Sequence, residues 1–474
     1  MVLTAASAAP AADCTFFVRA GFTPSQGVAD GRSPERAFST IGQGAQAIEN
    51  AGDVVCVGPG LYVEGDIGPL RSGAAGAPDL GAFPVESRGD ATGASTDDPP
   101  GTVQIVPPTG LPMEQTPGTG FLILGRHDVV IEGFDISGFR DAGIQVRSAN
   151  MVDGENSSNV TIRNNVIHSC RSGIDVYAED MIVVENNSAT ANSSSGISIQ
   201  SCEIPNEFGT CRGVASGPVV PVVSNNRSGG NGAHGIFLRD GENAVVQNNV
   251  SYSNTATGIT LRGVPDSLIA NNLVYHSGLE GLSIGSGFIA AGDPADPAQL
   301  ASPNAIVLNN TFFENGQWAV EIGNSLAASP GAAVVQNIAW RNGAGRLGIG
   351  VLNERGQTQV RDPSVCNYVA GFNDVLDDYG PDTPRNGYDL REDPLFVDPE
   401  GADGVAGGEI VDGQFVDRSA DDDFRLRQSG GEISPAVDAG STTAAQLGLT
   451  GSTASSGAAD TGRIDLGYHY GASA

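Results

Sequence analysis

Two arginines stand 23 residues apart in nearly identical strings, GIFLR ending at Arg239 and GITLR ending at Arg262. A guanidinium fork matches the paired oxygens of a carboxylate or sulfate, so two at equivalent positions form an oxyanion-binding pair. The same position in related strings is held by Arg147, Tyr177, Gln200, Gly285 and Gly323. Two residues earlier come Gln145, Asp175, Ser198, Phe237, Thr260, Ser283 and Glu321. This set pairs anion recognition with groups able to move a proton, Tyr177 or His234, the latter directly before Gly235. Asp175, Asp240 and Glu321 add carboxylates of the kind that work in pairs on glycosidic bonds. The plain alternative is that the arginines neutralise Asp180, Asp240 and Glu242 on a solvated surface.

The positioning elements are legible as a repeat. The strings open at Gly143, Gly173, Gly196, Gly235, Gly258, Gly281 and Ala319, with a base period of 23 residues. Most are preceded by an Asn pair: Asn164-Asn165, Asn186-Asn187, Asn225-Asn226, Asn248-Asn249, Asn271-Asn272 and Asn309-Asn310, with Gln336-Asn337 continuing the series. Each unit holds short alternating runs such as VTIRNN, VIHS and GIDVY, separated by polar turns. That is strand chemistry, and a fixed period of this size marks a stacked array. Coils stacked at roughly 4.8 Å pair backbone to backbone and seal a shared core. Alternation turns Ile174 and Val176 inward and the residues between them outward. An Asn at the same turn of every coil predicts an internal amide ladder, with Asn249 and Asn272 bonded along the stack.

These motifs resemble the right-handed parallel β-helix family over roughly Val18 to Gly371. The resemblance implies an all-β, single-stranded right-handed β-helix. The run AFSTIGQGAQAIENA reads as a helix over its open end, and DVVCV as the start of the first coil. The expected organisation is a signal-peptide remnant or disordered start over 1–12, the β-helix over 13–371 with a loop excursion at 71–119, and irregular coils and a cap over 372–474. The string GITLRG also resembles, over one coil, the Arg-bearing strand of the alginate lyase and chondroitinase B family. There a Lys one coil earlier acts as base; here that position is Arg239. The family's calcium-binding acidic residues have no carboxylate counterpart in NGAHGIFLR, where His234 stands instead.

Composition narrows the function. The formal charge is −31 and every one of the 24 basic residues is Arg, so Lys chemistry is excluded and nucleic acid is not an expected partner. No apolar run is long enough to span a membrane. The opening MVLTAASAAPAADC reads as the remnant of a cut signal peptide behind an added Met, which points to a secreted or cell-surface protein. Cys202 with Cys211, and Cys14 with Cys56, read as disulfides. Cys170 and Cys366 lie about seven coils apart, on the order of 34 Å, too far to bond. With few His and no CxxC, zinc is not expected. Calcium is a possible ligand of the Asp-rich stretches at 373–378 and 417–424, although a solvated acidic turn is the favoured reading. His168 and His276, five residues before their Gly, are expected to serve packing.

Two insertions, SCEIPNEFGTCRGVASG and SGFIAAGDPADPAQLASP, leave the stack after the same strand type and would wall a cleft beside Arg239 and Arg262. The leading expectation is a secreted polysaccharide-active protein, most concretely a lyase on uronate chains. Arg239, Arg262, Tyr177 and His234 would perform the chemistry, and Arg147, Gln200, Asp175 and Glu321 would bind the acidic polysaccharide. A glycoside hydrolase and a non-catalytic, glycan-binding or self-assembling surface β-helix are the alternatives.

Overall fold

The protein is described from a computed structural model covering residues 14–23, 28–48, 53–68, 82–83, 103–147, 157–178, 180–201, 218–285, 301–323, 329, 331–343, 351–353, 368–370, 390 and 392–471. Strands dominate, and they pair in parallel at the repeat offset, so the chain is a parallel β-helix. It divides into two compact units. One comprises residues 4–193 with 198–219; the other is built mainly from 194–197 and 220–474.

The first unit opens with strands Phe16–Val18 and Val55–Val57 paired in parallel and tied by the Cys14–Cys56 disulfide, as the two strand-like runs imply. Helix Ile41–Ala47 packs on this pair, and Gly44 is required there because a Cβ would meet Val18 and Val55. Thr40 caps the helix by accepting from the Gln43 N–H. The Glu64 carboxylate accepts from the Ile41 and Gly42 N–H groups, satisfying donors that helix geometry leaves over.

Three sheets follow. One stacks Gly60–Val63, Val103–Val106, Phe134–Ser137, Val166–His168 and Ser188–Thr190. Another stacks Ala82–Phe83, Val130–Glu132, Val160–Arg163 and Asp180–Glu185. The third stacks Thr119–Leu124, Ala142–Arg147 and Ser172–Tyr177. Ile144, Val146, Ile174 and Val176 fill the interior, as alternation requires. The expected excursion at 71–119 is therefore interrupted by strands. Val103 and Ile105 are fully buried, and their short alternation is masked in sequence by the flanking Gly and Pro.

In the second unit the same three sheets recur. Val245–Gln247, Leu268–Ala270, Ile306–Leu308 and Ala333–Val335 form one. Arg227–Gly229, Val250–Tyr252, Leu273–Tyr275, Thr311–Phe313 and Ile338–Trp340 form another. Ile236–Arg239, Ile259–Arg262, Leu282–Ile284 and Val320–Ile322 form the third.

The Asn pairs divide their work. The first member turns the chain with positive φ, +58° at Asn248 and +52° at Asn271, a conformation Asn tolerates better than most residues. The second member is buried and builds the expected ladder. Asn226 donates to Asn249, Asn249 to Asn272, Asn272 to Asn310 and Asn310 to Asn337, each at 2.9–3.0 Å. A second ladder, unexpected from the Asn pairs, joins Asn231 to Asn254 at 2.9 Å and Asn315 to Asn342 at 2.8 Å.

The closing segment does more than finish coils. Residues 392–471 carry two antiparallel strand pairs, Phe396–Asp398 with Asp423–Leu426 and Gly408–Val411 with Gln414–Asp417. This segment lies over the outward side of the second sheet. Phe396, Phe424, Leu426, Leu466 and Tyr468 pack on Tyr252, Tyr275, Phe313 and Trp340. The stacked rings of Tyr252 and Tyr275, 5.6 Å apart, are thereby buried, and their hydroxyls donate to Asp417 at 2.6 Å and Asp422 at 2.7 Å. The stretch at 417–424 contains an exposed turn, with Asp417, Ala420 and Asp421 exposed, and Asp417 and Asp422 also accept hydrogen bonds from the two tyrosines. The stretch at 373–378 lies outside the described residues.

Cys170 is a free, buried thiol, and burial pushes its pKa up to about 11. Cys202, Cys211 and Cys366 lie outside the described residues. No helix of the described residues is long and apolar enough to cross a membrane.

Candidate functional site

In the second unit, strands Ile236–Arg239 and Ile259–Arg262 pair in register, with Arg239 opposite Arg262 and Phe237 opposite Thr260. Continuing up the sheet, Thr260 lies opposite Ser283 and Ser283 opposite Glu321. The outward positions form two columns because strand side chains alternate and parallel pairing preserves the register. The arginine column ends after two rows. Gly285 and Gly323 occupy the next rows with φ of +69° and +67°, and a Cβ on Gly285 would collide with the Ser329 hydroxyl.

The arginines are side by side, but the expectation that they lie on an open face is corrected. The Arg239 side chain is 12% exposed and Arg262 is 8% exposed. The Arg239 Nε donates to Asp240 at 3.0 Å. Both guanidiniums favour the Asp240 carboxylate, but burial outweighs them and holds its pKa above the ordinary value.

His234 sits at the start of the first row, its ring stacked on Phe237 with centroids 5.3 Å apart. Its Nδ1 is 3.2 Å from the Thr260 hydroxyl. Burial lowers its pKa to about 4, so the imidazole is neutral near pH 7. One and two rows on, the residues preceding Gly are Thr257 and Glu280. The Thr257 hydroxyl donates to Glu280 at 2.9 Å, and the Ser283 hydroxyl donates to Glu321 at 2.9 Å. Glu280 was not among the residues singled out from sequence. The pre-glycine column that contains His234 is the signal that finds it.

The first unit holds its own set. Arg147 lies over the Tyr177 ring at 5.1 Å, and its guanidinium is 3.9 Å from Asp175. Gln145 donates to Asp175 at 3.2 Å, and burial dominates in raising the Asp175 pKa. Gln200 donates to the Ser198 hydroxyl at 3.1 Å. The sequence-derived residues therefore fall into two groups: Arg147, Asp175, Tyr177 and Gln200 in one unit, and His234, Arg239, Arg262 and Glu321 in the other. Apart from Ser201 and residues 301–303, the two insertions expected to wall a cleft lie outside the described residues.

His168 and His276 each contact a carboxylate, Asp135 at 3.2 Å and Glu314 at 2.9 Å. Among the described residues no group of three His, Cys, Asp or Glu side chains is placed to hold a metal ion.

Three comparisons bear on this scaffold. The family model for the right handed beta helix region matches residues 112–208 and 198–364. A search of curated protein sequences finds no match. Among solved structures, pectate lyase Pel9A is 16% identical, with 96% of this chain and 97% of that one covered and a TM-score of 0.54. A rhamnogalacturonan lyase is 15% identical over 81% of this chain and 91% of its own, with a TM-score of 0.45. The alginate lyase from Paenibacillus sp. str. FPU-7 is 16% identical over 66% and 95%, with a TM-score of 0.43. At these identities the likeness is one of fold.

Proposed function

Because the chain belongs to the right-handed beta helix family, whose sheets can present side chains in fixed rows, we propose that it acts on an acidic polysaccharide, as a lyase on uronate-containing chains outside the cell. The observation that carries this reading is the register pairing of Arg239 with Arg262 beside a half-buried, neutral His234. Two guanidiniums on neighbouring strands suit a carboxylate bound by parallel N–H donors. Charge drawn from that carboxylate acidifies the proton on the adjacent ring carbon.

His234 is the base in this reading. A neutral imidazole with Nδ1–H donating to the Thr260 hydroxyl leaves Nε2 as the acceptor. The base takes the proton, its electron pair becomes a carbon–carbon double bond, and the glycosidic carbon–oxygen bond breaks. The leaving oxygen takes a proton from water or a neighbouring acid. Arginine is a poor base because it holds its proton beyond about pH 12. Tyr177 remains a proposed participant, with Arg147, Asp175 and Gln200 as proposed binding residues of the other unit.

The deciding experiment incubates the protein with a panel of polyuronates and follows ultraviolet absorbance and reducing ends together. Rising absorbance from the unsaturated product supports the lyase. Reducing ends without absorbance would replace it with a hydrolase. Neither signal, with binding retained, would leave a glycan-binding protein.

A further inference from the structure

In the first unit, the end of strand Val166–His168 gathers groups that the lyase reading does not use. The His168 Nδ1 is 3.2 Å from the Ser169 hydroxyl, and its Nε2 is 3.2 Å from Asp135 Oδ1. The other oxygen of that carboxylate accepts from the Gln104 side-chain amide at 3.4 Å. Register brings them together. Asp135 stands opposite Val166 on the neighbouring strand, and Gln104 stands opposite Asp135 one strand further. His168 lies two residues beyond Val166 on the same face, a diagonal that long side chains can span. A carboxylate only accepts, so the Nε2 facing Asp135 carries the proton and Nδ1 is left as the acceptor. The Ser169 hydroxyl therefore donates to the ring, the direction in which a serine nucleophile gives up its proton. The hydrogen bond to Asp135 is also the main cause that raises the His168 pKa, so the carboxylate stabilises the imidazolium.

We propose that Ser169 is the nucleophile of a second activity, the hydrolysis of small acyl esters carried on sugar hydroxyls, with His168 as its base and Asp135 as the residue that positions the base. Ser169 is exposed, at a turn with φ of +57°. The rows on either side put Gly138 and Ala191 at this turn position, so neither carries a side chain that could close over the hydroxyl. A free small ester needs a concave pocket to hold it. An acyl group on a long chain is held by the contacts of the chain itself, and an open turn suits it. In the first step the Ser169 oxygen bonds to the acyl carbon and its proton passes to His168 Nδ1. The bond from the acyl carbon to the sugar oxygen then breaks, and that oxygen takes the proton from the ring. Water attacks the acyl-serine with the same imidazole as base, releasing the carboxylic acid and restoring the hydroxyl. The residues lie in the unit that does not contain His234, so this activity is independent of the lyase reading.

The test treats the intact protein with a fluorophosphonate probe, which phosphonylates activated serines. In parallel, turnover of p-nitrophenyl acetate and release of acetate from acetylated xylan and acetylated pectin are followed in mildly alkaline buffer, where the imidazole is neutral. The label should appear in peptide 164–171, which trypsin frees after Arg163 and Arg171 and which holds a single Ser. Ser169→Ala and His168→Gln should each lower turnover of p-nitrophenyl acetate at least about a hundredfold. Asp135→Asn acts through the imidazole, so it should lower kcat on the order of a hundredfold and leave KM unchanged. Circular dichroism checks that each variant is folded, and the label on the wild-type protein decides the question if one is not. An unlabelled Ser169, or turnover that survives Ser169→Ala, overturns the proposal. Labelling and turnover of p-nitrophenyl acetate without acetate release from either polysaccharide overturns the substrate class.

Discussion

Asn249 donates its side-chain amide to the Asn272 carbonyl oxygen at 3.0 Å, and the same oxygen accepts the Asn249 backbone N–H at 3.0 Å. The Asn272 amide in turn donates to the Val246 carbonyl at 2.9 Å and to Asn310 at 2.9 Å. One side chain thus satisfies backbone and side-chain groups on neighbouring coils, at a fully buried position. Replacing Asn272 by Leu should leave several of them unpaired, and each buried orphan costs about 1–3 kcal/mol. Urea denaturation should show a clearly lower midpoint than wild type. An unchanged midpoint would mean that the ladder contributes nothing to stability.

Arg239→Ala and Arg262→Ala should each weaken binding of an acidic oligosaccharide. A hydrogen bond to a charged group is worth about 1.5–3 kcal/mol, or about tenfold to a hundredfold in affinity. Raising the ionic strength should weaken wild-type binding and affect the double variant less. Titration calorimetry across a salt series reads both effects. Wild-type affinity in both single variants would exclude this face as the binding site.

His234 should make stability fall in mild acid. Its pKa is about 4 in the folded protein, below the ordinary value of 6.5. Between those values the unfolded chain binds a proton that the folded protein does not. The contribution is therefore complete above about pH 6.5 and is lost as pH falls toward 4, amounting to roughly 2–3 kcal/mol. His234→Gln should flatten this part of the stability–pH curve. An imidazole titration by NMR with a midpoint near 6.5 would contradict the buried environment.

Cys170 should resist modification in the native protein. Its thiol is buried and its pKa is pushed up to about 11, so little reactive thiolate exists at neutral pH. A thiol-reactive dye should label it only after denaturation. The Cys14–Cys56 bond closes a separation of 42 residues. Its reduction should cost about 4 kcal/mol on the chain-entropy account, read as a lower unfolding midpoint. Rapid native labelling of Cys170, or an unchanged midpoint after reduction of Cys14–Cys56, would refute the corresponding part.

The amino-acid sequence by itself determined the parallel coil, the inward Ile and Val columns, the buried Asn249–Asn272 ladder and the pairing of Arg239 with Arg262. All are nearest-neighbour relationships, and a stacked array writes these into the chain as a constant offset. Tertiary structure decided what covers the outward faces. Tyr252 and Tyr275 repeat at the period, yet their partners Asp417 and Asp422 lie 165 and 147 residues away, where no period connects them. The second ladder through Asn231 and Asn254 is joined at the same 23-residue offset, but its turn changes residue type along the stack: Ser277 occupies the next row, and its backbone N–H bonds to Asn315. Sequence placed His234, Arg239 and Glu321 on the outward face, but not the burial that makes the histidine neutral or the burial of the arginines. Burial depends on everything folded around a side chain, whereas a repeat records only the residue directly above and the residue directly below.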